Sequence, residues 1–416
     1  MNKKPLLLTS LSAAVLLGLS ACGGGGSGGT TAQNTSTTSG PVTAFGSVYV
    51  NGVEYNTDNA KVYVEGSPAA ESDLRVGMMV TVTKANNSTA SAVHFSDDLE
   101  GLVISNSITA PATTGNMVIM GQTVSVDQNT IFESKVAGIA TFSDIKQGFV
   151  VEVSGYYSTS TGTIAATRIE VKADTFTPNS GVTLEIKGTV SALGSTTFKL
   201  GQLVVNYNNA DLTDLPNGLS DGLYVEVKSI GGLNTNDELI ASKVELQDGG
   251  KDHHEGDVNE DYELKGKVMS VGTDTFTVNN QKVLLTNATE FEHGTLADLK
   301  LYAMVEVEGH FNANKELVAD KVDFEGMHAN SMTEQKGTVS NIATSATNIG
   351  SFTLTDANSV ATTIVVNNMT IMKDSSSTPV IHFNLSSLVA GDNVEVDVYS
   401  NKDNPETFTA TKLERK

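Results

Sequence analysis

The chain has one cysteine, no tryptophan and only 8 prolines among its 416 residues. A single thiol excludes an intramolecular disulfide framework and any site built from clustered thiolates. Basic residues are scarce as well: 26 Lys and Arg stand against 48 Asp and Glu, a formal net charge of -22. Binding a nucleic-acid backbone needs Lys and Arg, so no nucleic acid is expected as a partner. Neither H-E-x-x-H nor a cysteine-histidine zinc spacing occurs, and calcium loops of the D-x-[DN]-x-[DN]-G type are missing. No enzyme activity and no cofactor are expected. These absences leave address and architecture as the informative features.

Long apolar runs are missing too, apart from one at the start. Lys3 and Lys4 precede an apolar stretch from Pro5 to Leu19, followed by Ser20, Ala21 and Cys22. That stretch is too short for a membrane span and has the shape of a secretory signal over residues 1–21. The tetrad Leu19-Ser20-Ala21-Cys22 resembles the bacterial lipoprotein processing box. The resemblance implies cleavage before Cys22 and its acylation, hence palmitate on the mature chain and a membrane as its first partner. Several acyl chains give stable anchoring where one does not. Gly23 stands where an aspartate would retain such a protein at the inner membrane, so the resemblance favours the outer membrane, facing the periplasm or the exterior. An ordinary signal peptide with an accidental cysteine is the alternative. Residues 22–40 are rich in Gly, Ser and Thr and read as a flexible tether.

Beyond the tether one pattern recurs five times. Its ending is a V-x-V strand followed after a variable turn by A-x-x-[VIL]. The five are Val80–Val82 with Ala90–Val93, Val151–Val153 with Ala166–Ile169, Val225–Val227 with Ala241–Val244, Val305–Val307 with Ala319–Val322, and Val394–Val396 with Ala410–Leu413. The beginnings are Gly-x-Val at Gly46, Gly101, Gly188, Gly266 and Gly337, spaced 55, 87, 78 and 71 residues apart. Uneven spacing suits globular modules better than a solenoid. Four copies carry Asp or Ser before Leu or Ile ahead of V-x-V, at Asp73, Asp144, Asp298 and Ser387, and a glycine often follows.

Short alternating runs bounded by Gly, Asn, Asp and Ser give about five antiparallel strands per copy, with one short helical turn before the fourth. Asn51-Gly52 marks a hairpin. The expected class is all-β: five tandem small antiparallel barrels of the oligonucleotide-binding type, or open β-sandwiches. The expected modules are 41–96, 97–173, 182–247, 261–326 and 333–416, with an acidic linker at 248–260. Modules this small have limited cores, so some neighbours are expected to pack together. From Thr43 to Leu413 the pattern resembles the bacterial family called domain of unknown function 5666. That resemblance implies an extracytoplasmic β-rich module in tandem, and supplies no active site.

Candidate chemistry is thin. Glu152, Glu226, Glu306 and Glu395, each central in V-E-V, point away from the core and read as solvent-facing charges that discourage edge pairing. Asp252, His253, His254 and Glu255 form the conspicuous polar cluster. Imidazole and carboxylate can hold zinc, nickel or copper, yet adjacent histidines diverge on a helix or strand. A charged, solvated linker is the simpler account, with weak divalent binding as the alternative. Asp211 and Asp214, or Asp97 and Asp98, could join irregular calcium sites. His94, His293, His310, His328 and His382 read as scattered surface or loop residues. The functional expectation is a noncatalytic envelope lipoprotein that binds or scaffolds an envelope protein or glycan. Metal handling and an envelope enzyme are the alternatives.

Overall fold

A computed structural model describes residues 37–86, 88–158, 163–179, 181–247, 261–278, 281–300, 303–312, 316–324, 332–400 and 407–416. Cys22 and the cluster Asp252, His253, His254 and Glu255 lie outside the described residues. What is described is β-strand with four single 3-10 turns, and no helix in it is long and apolar enough to cross a membrane.

Five modules share one plan. In the fifth, strands Met332–Ala346, Ile349–Thr355 and Ala361–Val366 form a meander. A short strand Ile371–Asp374 and the turn Leu385–Ser387 follow, then the fourth strand Asn393–Ser400 and the fifth, Thr407–Arg415. The first and fourth strands pair antiparallel, as do the fourth and fifth. Five strands cannot close into a barrel with antiparallel neighbours alone, so one joint must be parallel. That joint lies between the third and fifth strands, where Ile364 pairs with Phe408. Equivalent parallel joints are Val124 with Ile164, Val205 with Leu239, and Val283 with Leu317; in the first module a single bridge, Asn56 with Thr89, suffices. These are closed small barrels of the oligonucleotide-binding type, not open sandwiches, and closure removes the exposed edges.

The repeated letters have local physical causes. In a regular strand, residues three apart face opposite sides. Yet Ala90 and Val93, Ala166 and Ile169, Ala241 and Val244, Ala319 and Val322, and Ala410 and Leu413 are all buried. A bulge explains this. Register slips beside Ser91, Thr167, Asp320 and Thr411, and in the third module Ser242 interrupts the fifth strand, so the extra residue turns both apolar side chains inward. The bulged hydroxyl then donates to a fourth-strand carbonyl: Ser91 Oγ to Thr83 O at 3.1 Å, Thr167 Oγ1 to Ser154 O at 3.1 Å, Ser242 Oγ to Lys228 O at 2.9 Å, Thr411 Oγ1 to Asp397 O at 3.3 Å. The fourth module has Asp320 here, which meets His310 Nδ1 instead, at 2.8 Å.

The aspartate before Leu or Ile is a cap. Asp73, Asp144 and Asp298 each accept the backbone N–H three residues back, from Ala70, Thr141 and Thr295, at 2.9–3.0 Å. Each cap sets the next apolar side chain, Leu74, Ile145 or Leu299, into the core. Gly77, Gly148, Gly222 and Gly391 then turn the chain at φ between +87° and +99°, a region that side chains with a Cβ avoid.

One expectation needs correction. Gly46-Ser47-Val48 is not the start of the first copy. Gly46 (φ +117°) and Ser47 (φ +75°) form the turn into the second strand. The true counterpart of Gly101-Leu102-Val103 is Gly40-Pro41-Val42, since Gly40 pairs with Val80 as Gly101 does with Val151. The first strand, Thr37–Phe45, therefore takes up the last residues assigned to the tether. Neighbouring modules also share interiors. Glu185 pairs with Glu100 and Ile186 with Leu99, which joins the second and third modules into a twelve-stranded sheet over one common core. Ala44 and Tyr49 of the first module belong to the fifth module's core, and Ile131 and Ile371 enter the first's. Among the described residues, the fourth module's buried cluster draws only on its own strands and turns. Residues Thr35–Lys416 form one compact unit.

Candidate ligand and ion sites

The junction of the first three modules carries the densest ionisable cluster described. Cross-strand partners share a sheet face. Pairing therefore aligns Glu170, Glu152, Glu100, Glu185, Lys228 and Lys243 in one row across six strands of the fused sheet. Like charges directly opposite are destabilising, and four glutamates abreast need compensation. Lys172 Nζ supplies part of it, 2.6 Å from Glu152 Oε2 and 3.7 Å from Glu100 Oε2. Lys228 Nζ stands 3.3 Å from Glu185 Oε2, and Arg168 Nη2 3.2 Å from Glu170 Oε2.

Asp97 and Asp98, the link from the first module to the second, close over this row. Both are buried. Asp98 Oδ2 accepts the Gly155 N–H at 2.8 Å, and Asp97 N donates to Glu65 Oε1 at 2.8 Å. Lys187 Nζ reaches across from the third module to Ser96 Oγ at 2.6 Å and to the Asp97 carbonyl. Burial pushes Asp98 up to about 6 and Glu100 up to about 7, with Lys172 partly opposing the shift at Glu100. Burial, reinforced by Glu65, holds Asp97 well above the ordinary carboxylate range. For Lys187, burial favours the neutral amine, but Asp97, Glu226, Asp98 and Glu65 outweigh it and keep the ammonium.

A second feature is an open groove of about 1060 Å³ between the second and fifth modules, lined also by Arg75 and Val76 of the first. Seven acidic and five basic side chains line it. Phe132 and Phe142 meet edge to face at 5.1 Å and form part of its wall, and the exposed Val380 and Ile381 lie on its rim. Lys373 Nζ donates to Phe132 O at 2.6 Å and Lys412 Nζ to Gln128 O at 3.2 Å, which ties the two walls together. A smaller cavity of about 150 Å³ lies where modules one, two, four and five meet, beside Tyr156, Lys265 and Tyr399.

The V-E-V glutamates divide into two pairs. Glu306 and Glu395 remain partly exposed and bond Lys265 and Lys336. Glu152 and Glu226 are not solvent-facing: the junction buries them on the outer face of their barrels. Asp211 caps a turn, accepting from Thr213 N at 3.0 Å, and Asp214 pairs with Lys243 at 2.7 Å. His382 lies in the turn between the strand Ile371–Asp374 and the 3-10 turn Leu385–Ser387, half-buried. It stacks on Phe45 at 3.8 Å between the first and fifth modules. His293 meets Asp323 at 2.7 Å on the surface. Two short spellings of hydrolase motifs, Gly218-Leu219-Ser220-Asp221-Gly222 and Ser143-Asp144-Ile145-Lys146, fall on turns before fourth strands, without the strand–turn–helix or helical setting such motifs need.

The family model for Domain of unknown function (DUF5666) matches residues 103–170, 187–245, 265–323 and 336–414, together more than half of the sequence. The chain belongs to the DUF5666 family. Those four matches fall on modules two to five, and the first module has the same topology without being matched. Among solved structures, "drosophila Unr CSD456" is similar at 15% identity over 55% of this chain and 96% of that one, with a TM-score of 0.14. No curated protein matches the chain.

Proposed function

We propose that this DUF5666 protein is a noncatalytic cell-envelope lipoprotein that presents a rigid binding platform from a lipid anchor at Cys22. The observation that carries this reading is the fusion of five barrels into one unit, with a large groove between modules that are far apart in sequence. Such a groove exists only when the modules are locked together, which is a scaffold's property rather than a string of beads. Its excess of carboxylates disfavours phosphate polymers, while its mixture of polar groups with Phe132, Phe142 and Ile381 suits a glycan or a protein segment.

Two measurements test the proposal. Cys22→Ala should release the protein from the outer-membrane fraction, and calorimetry with envelope oligosaccharides and purified envelope proteins should find a saturable ligand. Reversing charge at Lys336 and Lys416, which line the groove, should weaken that ligand about tenfold or more. Turnover of an envelope substrate by the purified chain, or membrane retention of the Cys22→Ala variant, would overturn it.

A further inference from the structure

The junction of the first three modules holds carboxylates that its lysines do not fully engage. Oxygens of Asp97, Glu100 and Glu152 converge to within 4.8 Å of one another. Two oxygens that each lie about 2.4 Å from one calcium ion are at most about 4.8 Å apart, and the three meet that limit pair by pair. Asp97 Oδ1 and Glu152 Oε1 are buried and find no hydrogen-bond partner among the described residues; Asp97 is 4% and Glu152 8% exposed. Buried carboxylate oxygens without a partner are costly, and native structures seldom leave them so. Lys172 holds the other oxygen of Glu152, Oε2, so Oε1 is the atom left for a ligand. An all-oxygen, carboxylate-only donor set selects hard cations over zinc or copper. The Glu100 side chain is 16% exposed and offers a route from solvent.

We infer that Asp97, Glu100 and Glu152 bind a calcium ion that fastens the first module to the second. Asp97 comes from the intermodule link, whereas Glu100 and Glu152 sit on adjacent strands of the second module, so the ion bridges the joint itself.

The test is titration of CaCl2 alone into the full, detergent-solubilised chain, read by calorimetry and by thermal midpoint. Saturable binding of about one ion is expected, with a dissociation constant on the order of 10⁻⁴–10⁻³ M, as in extracellular calcium modules. Glu100→Gln, isosteric and partly solvent-facing, should weaken it about tenfold or more and remove the rise in midpoint. Asp97→Asn should do the same. Asp211→Asn/Asp214→Asn and His253→Ala/His254→Ala should retain full affinity. No saturation below about 10 mM, equal affinity in Glu100→Gln, loss of affinity in either control, or tighter binding of Mg²⁺ than Ca²⁺ would each overturn the assignment. If Asp97→Asn does not fold, Glu100→Gln decides alone.

Discussion

A single bulged residue accounts for the oddest letter spacing in the sequence. Val or Ile three residues after Ala can share its face only if a bulge intervenes, and Ser or Thr fills that bulge in four of the five modules. Thr167 does more than its counterparts, because its Oγ1 also lies 2.6 Å from the Gly77 carbonyl of the first module. Thr167→Val keeps the shape and leaves the Gly77 and Ser154 carbonyls without that donor, at a cost of about 2 kcal/mol; Thr411→Val loses one longer bond to Asp397 O and should cost about 1 kcal/mol or less. Urea denaturation of the two variants should rank them in that order, and an equal loss would show that the bond between modules contributes nothing. The A-x-x-V letters were legible as a pattern, but the bulge was not. Period-two reading assumes an unbroken register, and only the pairing partner reveals the slip. The same limit hid Glu152 and Glu226: V-E-V places them outside their own barrel, and no letter states that another module lies there.

Strand pairs decide the pH response. The row Glu170, Glu152, Glu100 and Glu185 forms because each glutamate occupies an outward position on a strand whose neighbours do the same. Glu100 at about 7 and Asp98 at about 6 lie above their unfolded values, so the folded chain holds protons that the unfolded chain releases. Stability therefore falls as pH rises, from about 3.8 to 6 for Asp98 and from about 4.5 to 7 for Glu100, by roughly 3 kcal/mol for each group. On the acid side, burial raises Glu414 but Lys373, Ser375 and Lys412 outweigh it and bring it down to about 2, so its stabilisation, present above its unfolded value, is lost as pH drops from about 4.5 to 2. Thermal midpoints measured in a chelating buffer should peak near pH 4. Glu100→Gln should flatten the alkaline limb and leave the acid limb unchanged. A midpoint that climbs steadily from pH 5.5 to 8 would contradict this. The strands themselves and the turn before the fourth strand were readable from alternation and from the Asp-Leu pairs. The parallel third-to-fifth joint follows only from closing an odd number of strands.

At the scale of the whole molecule, small modules cannot bury enough apolar surface alone, and this chain meets that limit by sharing cores. Sharing is uneven, which makes it testable. Leu99, Ile186 and Leu203 lie in a core common to the second and third modules, and Gly121 packs so closely on Leu203 that an added Cβ would sit 2.9 Å from its backbone nitrogen. The first module similarly borrows Ile131 and Ile371 from the second and fifth. Such partnerships between distant segments leave no signature in a single sequence, since the donated residues look like ordinary core positions of their own modules. Among the described residues the fourth module borrows nothing: its buried cluster runs from Leu264 to Phe324 without a foreign side chain. Expressed separately, residues 261–326 should therefore unfold cooperatively and give a dispersed amide spectrum. Residues 97–173 alone should bind a hydrophobic dye and melt at least about 10 °C below the 97–247 pair, because the cut exposes one side of their common interior. Should the second module prove as stable alone as in the pair, the fused sheet would be mere contact between finished domains, and the common interior would contribute nothing to stability.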